Sequence, residues 1–166
     1  MNVQRPILQY RIPQVILPIE ELAYIAGLLD AEGALLIYKN SKSSGYTLQL
    51  VYRKTHYDTL KYIGDVFGGI VRPSKRDPKS ALDVWSLMLT SRKAYYALKH
   101  IYPFLIIKRR PAQVCIEFFE LYWRPKLGTG RVSDERQHIG RTYAAMLNEY
   151  KTKPGHKHQS HGRIGN

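Results

Sequence analysis

Two carboxylates, Asp30 and Glu32, stand in the last turn of a segment that otherwise reads as a helix over 18–32. Pro18 suits a first helical turn, and Glu20 and Glu21 sit where the positive end of the helix dipole favours anions. Gly33 supplies a residue able to take the left-handed conformation that stops a helix. Asp30 and Glu32 lie at the other, negative end, where each carboxylate is disfavoured by roughly 0.3–1 kcal/mol. Acids at the wrong end of a helix imply a positive guest. Their hard oxygens suit a divalent ion, Mg2+ first, with Mn2+ or Ca2+ able to use the same ligands.

The same segment repeats Ala23, Gly27 and Ala31 at i, i+4 and i+8, with Ala26 beside them, so one face is almost without side chains. Such a face lets two helix backbones approach closely. Two uses fit it: packing on the chain's own sheet, or contact with the same helix of a second copy. Contact between copies would bring two Glu32 carboxylates together. That is tolerable only if one is protonated or a cation lies between them.

The elements that must position these residues follow from periodicity and punctuation. Residues 34–39 and 46–53 read as strands joined by the turn formers of 40–45, a hairpin leaving directly from the acidic helix end. Tyr57, Leu60, Ile63, Val66 and Phe67 then fall at helical spacing, and Gly68-Gly69 ends the run. A short strand over 70–72, a basic turn over 73–78 and a strand over 82–89 come next. Ser91 is placed to cap a helix running to about residue 102, where Pro103 breaks it. After Lys108-Arg109-Arg110-Pro111, helices are expected over 112–123 and 134–151, the last with Ile139, Tyr143, Met146 and Leu147 inward. The order is αββαββα followed by C-terminal helices, an α+β fold with one antiparallel sheet. Residues 1–17, with Arg5 and Arg11, read as an extended arm; 18–151 as a single domain; 152–166, with His156, His158 and His161, as a basic, disordered tail.

With 166 residues and 19.2 kDa the chain can bury one real core. A net charge of +13 and a pI near 9.9 point to a polyanionic partner, nucleic acid ahead of a membrane surface. No apolar run approaches the ~18 residues of a membrane span. The first residues lack the pattern of a secretory signal, and the lone Cys115 sits in an apolar helical context that suits a core residue. These features predict an intracellular protein, cytoplasmic or organellar, without disulfides.

Ile25-Ala26-Gly27-Leu28-Leu29-Asp30-Ala31-Glu32-Gly33 resembles the motif that names the LAGLIDADG homing endonucleases. Ile replaces the first Leu, Leu the Ile, and Glu the second Asp. The expected element order over about 18–125 is also similar to that family's core, and no second copy of the motif occurs. The resemblance implies a homodimer whose antiparallel sheets form a DNA-binding saddle. It implies a metal-dependent, intron-encoded endonuclease cutting both strands of a long, near-palindromic double-stranded DNA site and leaving 3′ overhangs. It assigns Glu32 as catalytic and metal-binding, with the backbone carbonyl of Ala31 as a further ligand, and Asp30 to backbone bonds at the helix junction. Lys108, after Pro103-Phe104-Leu105, resembles the family's catalytic-site lysine. Ala23, Ala26, Gly27 and Ala31 would line the dimer interface. Two rival readings use the same fold: an RNA maturase assisting intron splicing, and a DNA-binding protein that has lost cleavage.

Strand parity nominates the DNA-facing residues. Leu36, Tyr38 and Asn40 share one face of the first strand, with Leu35 and Ile37 toward the core. On the second strand Leu48 and Leu50 go inward, which leaves Thr47, Gln49 and Val51 outward, Gln49 as a candidate for adenine. Arg53, Arg72, Lys75, Arg76, Arg109 and Arg110 are candidates for guanine or phosphate. Asp83, Trp85 and Leu87 share a face that periodicity does not orient. Tyr52, Arg53 and Lys54 occupy the end of the second strand, where the family often has a polar residue that positions water; Glu for Asp at position 32 also moves the carboxylate one methylene outward.

Overall fold

A computed structural model describes residues 16–41, 45–74, 83–123 and 132–152. The N-terminal arm before residue 16, Lys75 and Arg76, and the tail beyond 152 lie outside the described residues.

Alternating side chains decide the architecture. Strands β1 (Ala34–Lys39), β2 (Tyr46–Lys54), β3 (Ile70–Pro73) and β4 (Trp85–Thr90) form one antiparallel sheet in the order β1-β2-β4-β3. The register pairs Leu35 with Leu50 and Ile37 with Leu48 in the first hairpin. It continues through Leu50 with Leu89, Tyr52 with Leu87 and Val71 with Leu87. One face is therefore a continuous apolar layer, and Leu48, Leu50, Leu87 and Leu89 are almost fully buried. The orientation that periodicity left open on β4 is now fixed: Trp85 and Leu87 point to the core.

Helices cover that layer. They are α1 (Ile19–Glu32), α2 (Tyr57–Phe67), α3 (Arg92–Ile101), α4 (Arg109–Tyr122) and α5 (Asp134–Thr152). Ile25, Ala26 and Leu29 of α1, Leu60 and Ile63 of α2, Leu98 and Ile101 of α3, and Cys115 and Phe118 of α4 join the sheet in one cluster. Cys115 is a core residue, and burial pushes its thiol up to about 12, with Lys151 opposing. Fully burying aliphatic side chains of this kind stabilises by ~1.5–3 kcal/mol each, which is what holds these helices on the sheet.

Three local expectations are revised. Gly33 is extended (φ −76°, ψ 162°), so it does not stop α1 through a left-handed turn. Its need for glycine is steric, since a Cβ there would lie 2.3 Å from Leu29 Cδ1. The left-handed stop is found at Gly68 instead, at φ 77° after α2. Ser91 does precede α3, but without a side-chain cap; its N–H donates to Leu48 O at 2.8 Å and its carbonyl accepts from Tyr95 N at 3.0 Å. Finally, α4 starts one turn earlier than expected, at Arg109. Pro111 is tolerated because first-turn N–H groups have no intrahelical acceptor to lose.

Candidate active site

The C-terminal end of α1 meets the N-terminal end of α4, and the misplaced acid explains the meeting. Asp30 is 9% exposed. Its Oδ2 accepts from the backbone N–H of Ile106 at 2.7 Å and of Ile107 at 3.1 Å, and its Oδ1 from that of Lys108 at 2.7 Å. A carboxylate at the wrong end of α1 is thus held by the N–H groups of 106–108, just before the N-terminal end of α4, where the dipole favours an anion. The expectation that Asp30 bonds backbone at a helix junction matches this geometry. The same contact brings in Lys108, whose ammonium donates to the carbonyl of Asp30. Burial lowers the Lys108 pKa below the ordinary lysine value, with the Asp30 charge opposing.

Glu32, two residues beyond Asp30, is the exposed last residue of α1. Its Oε1 accepts from Lys54 Nζ at 2.7 Å. Lys54, at the end of β2, takes its role from this contact. The available signal was parity: Lys54 follows Leu50 and Tyr52 at two-residue spacing, and a charge on the core-facing side of a strand end needs a counter-ion. Tyr52 itself is buried, with its hydroxyl donating to Ile25 O at 3.5 Å, and burial raises its pKa.

The opposite face of the sheet opens from this end. Leu36, Tyr38, Thr47, Gln49 and Val51 all lie on it, as parity predicts, together with Arg53, Ile70, Arg72, Ser86, Met88 and Thr90. Arg53 and Arg72 stand in line across Ser86, and both are exposed. Asn40 lies past the last residue of β1, in the turn, where its N–H donates to Gly45 O at 2.7 Å. It is therefore not part of the ladder. Arg109 and Arg110 open α4 beside Lys108, and the Arg109 guanidinium lies over the Tyr102 ring at 5.4 Å.

The small-residue stripe divides. Ala26 is fully buried in the chain's own core and does not belong to an exposed contact face. Ala23, Gly27 and Ala31 are exposed, and a Cβ built on Gly27 would meet nothing within 4 Å beyond its chain neighbours and the backbone of α1 itself.

No family model and no curated protein sequence matches the chain. Solved structures do match. The homing endonuclease I-CvuI in complex with a DNA target superposes with a TM-score of 0.64 at 17% identity, over 82% of this chain and 85% of that one. The LAGLIDADG homing endonuclease I-GzeII, also in complex with a DNA target, gives 0.53 at 15% identity over 78% and 43%. The meganuclease I-SmaMI bound to uncleaveable DNA gives 0.57 at 13% identity over 80% and 46%. This chain has the LAGLIDADG homing endonuclease fold. It spans most of I-CvuI but less than half of I-GzeII or I-SmaMI. Within the LAGLIDADG fold, the motif segment of this chain is α1, and Glu32 and Lys108 reach the same end of it.

Proposed function

We propose that the protein is a homodimeric, divalent-metal-dependent endonuclease that cuts both strands of a specific double-stranded DNA site. The observation that supports this reading is the junction of α1 and α4, where Lys108 meets the same helix end that carries Glu32. The +13 charge supports a polyanionic substrate.

Among the described residues no three His, Cys, Asp or Glu side chains gather into a metal site. One chain offers the Glu32 carboxylate and the Ala31 carbonyl at a helix end, where carbonyls lack intrahelical partners. These hard oxygens fit half of a Mg2+ site, to be completed by a second copy and by phosphate. The metal would supply Lewis-acid stabilisation of the departing oxygen and an activated water. Glu32 would hold that charge at the C-terminal end of α1. Lys54, already paired with Glu32, keeps the carboxylate oriented before DNA arrives. Lys108 supplies positive charge for the scissile phosphate. Its partial burial makes that charge effective, because little water screens it. Exposed Ala23, Gly27 and Ala31 support assembly through α1, which brings two Glu32 residues to one DNA centre.

The test is a cleavage assay with Mg2+ on DNA carrying a site selected from a randomised duplex library. The native protein should yield a double-strand break, and Glu32→Gln should bind that DNA with similar affinity without cutting it. A Glu32→Gln protein that cuts at the native rate overturns the assignment.

A further inference from the structure

We infer that the middle of the sheet's open face reads thymine methyl groups, so that each half-site carries T·A pairs at about two adjacent positions. The inference deepens the DNA-binding reading above and rests on it. The register sets Ala34, Val51, Met88 and Ile70 side by side across all four strands. None of these side chains carries a strong hydrogen-bonding group. Val51 is only 7% exposed and forms the floor, whereas Met88 at 42% and Ile70 at 66% project from the face.

The next rows are different. Toward one end of the strands come Leu36, Gln49 and Thr90, and toward the other Arg53, Ser86 and Arg72. An apolar row is thus bracketed by rows able to hydrogen-bond bases or phosphate. Neighbouring strands lie ~4.8 Å apart, so four of them span roughly 14 Å, comparable with the ~12 Å width of the major groove. Rows on one face are two residues apart, ~6.8 Å, which matches about two base pairs at ~3.4 Å each. Over that step the row can offer bases only apolar contact. In the major groove the one apolar group among the four base edges is the C5 methyl of thymine. A cytosine amino group or a guanine oxygen pressed there would lose water without gaining a partner.

Gln49 ties the apolar row to its neighbour, since its Nε2 donates to Met88 Sδ at 3.2 Å. The row also distinguishes DNA from RNA, because uracil lacks the methyl.

The experiment selects binding sites from a randomised double-stranded DNA library with the native protein. Each recovered thymine is then replaced singly by deoxyuridine, which deletes only the methyl. Burying one such carbon is worth ~0.8 kcal/mol, so each replacement within the step should weaken binding about fourfold. Thymines elsewhere should change little. Met88→Gln should move the selected base at that step away from thymine. A recovered half-site with G·C pairs throughout, or one indifferent to deoxyuridine at every thymine, overturns this inference and leaves the endonuclease reading standing. Recovery of no DNA sequence at all overturns both.

Discussion

Three backbone N–H groups share the Asp30 carboxylate, so its removal strands donors in a partly buried junction. Each such donor costs ~1–3 kcal/mol when unpaired, and partial access to water places Asp30→Ala near 3 kcal/mol of destabilisation. Urea unfolding checks this, and a loss below about 1 kcal/mol contradicts the junction's role. Lys108 touches the same junction through its own backbone and its ammonium. Lys108→Ala should keep DNA affinity within a few fold while slowing single-turnover cleavage by ~10²-fold or more. A defect confined to binding would make Lys108 a phosphate anchor. At this scale the sequence was legible in residue types and misleading about conformation. The charge of Asp30 flagged the site, but its acceptor role needed the fold, because Ile106, Ile107 and Lys108 are remote in the chain. The pairing of Lys54 with Glu32 was hidden for the same reason.

Among the elements, the strands were readable because a half-buried sheet writes its parity into the sequence. Leu35 and Ile37, then Leu48 and Leu50, are buried on the predicted face. Helix ends were less readable, since backbone contacts across the sheet set them. Ser91 illustrates this. Its φ of 50° and ψ of −118° belong to the first central position of a type II′ turn, where glycine is usual. Its N–H is held by Leu48 O of β2, so the turn is fixed by a neighbouring strand and not by the hydroxyl. A non-glycine residue in such a region costs of order 1–3 kcal/mol. Glycine would relieve that strain and lose some of it again to unfolded-state entropy. Ser91→Gly should therefore raise stability by ~1 kcal/mol in urea unfolding. Destabilisation would mean that the hydroxyl makes a contact that outweighs the strain.

For the whole molecule, the feature to explain is a glycine where a monomer has no use for one. Gly27 sits inside α1, where glycine costs ~1 kcal/mol relative to alanine and nearly as much relative to leucine. Apart from its chain neighbours and the backbone of α1 itself, no atom of the described chain lies within 4 Å of a Cβ placed there. The chain's own packing therefore does not demand glycine, in contrast to Gly33, where Leu29 does. A second copy of α1 laid along Ala23, Gly27 and Ala31 would demand it. Gly27→Leu separates the two cases with unusual clarity, because the side chain that wedges two helices apart is free to stand in solvent on one. In the folded monomer the substitution should be neutral or stabilising, by up to ~1 kcal/mol. Across a close helix pair the added bulk should cost ~1–3 kcal/mol or more. Sedimentation of the native protein should give a dimer of the 19.2 kDa chain, and the variant a monomer whose melting temperature no longer rises with protein concentration. Its double-strand cleavage should fall before its single-chain stability does. A native protein that sediments as a monomer even on its full DNA site, or a variant that remains a fully active dimer, would break the link between α1 and assembly.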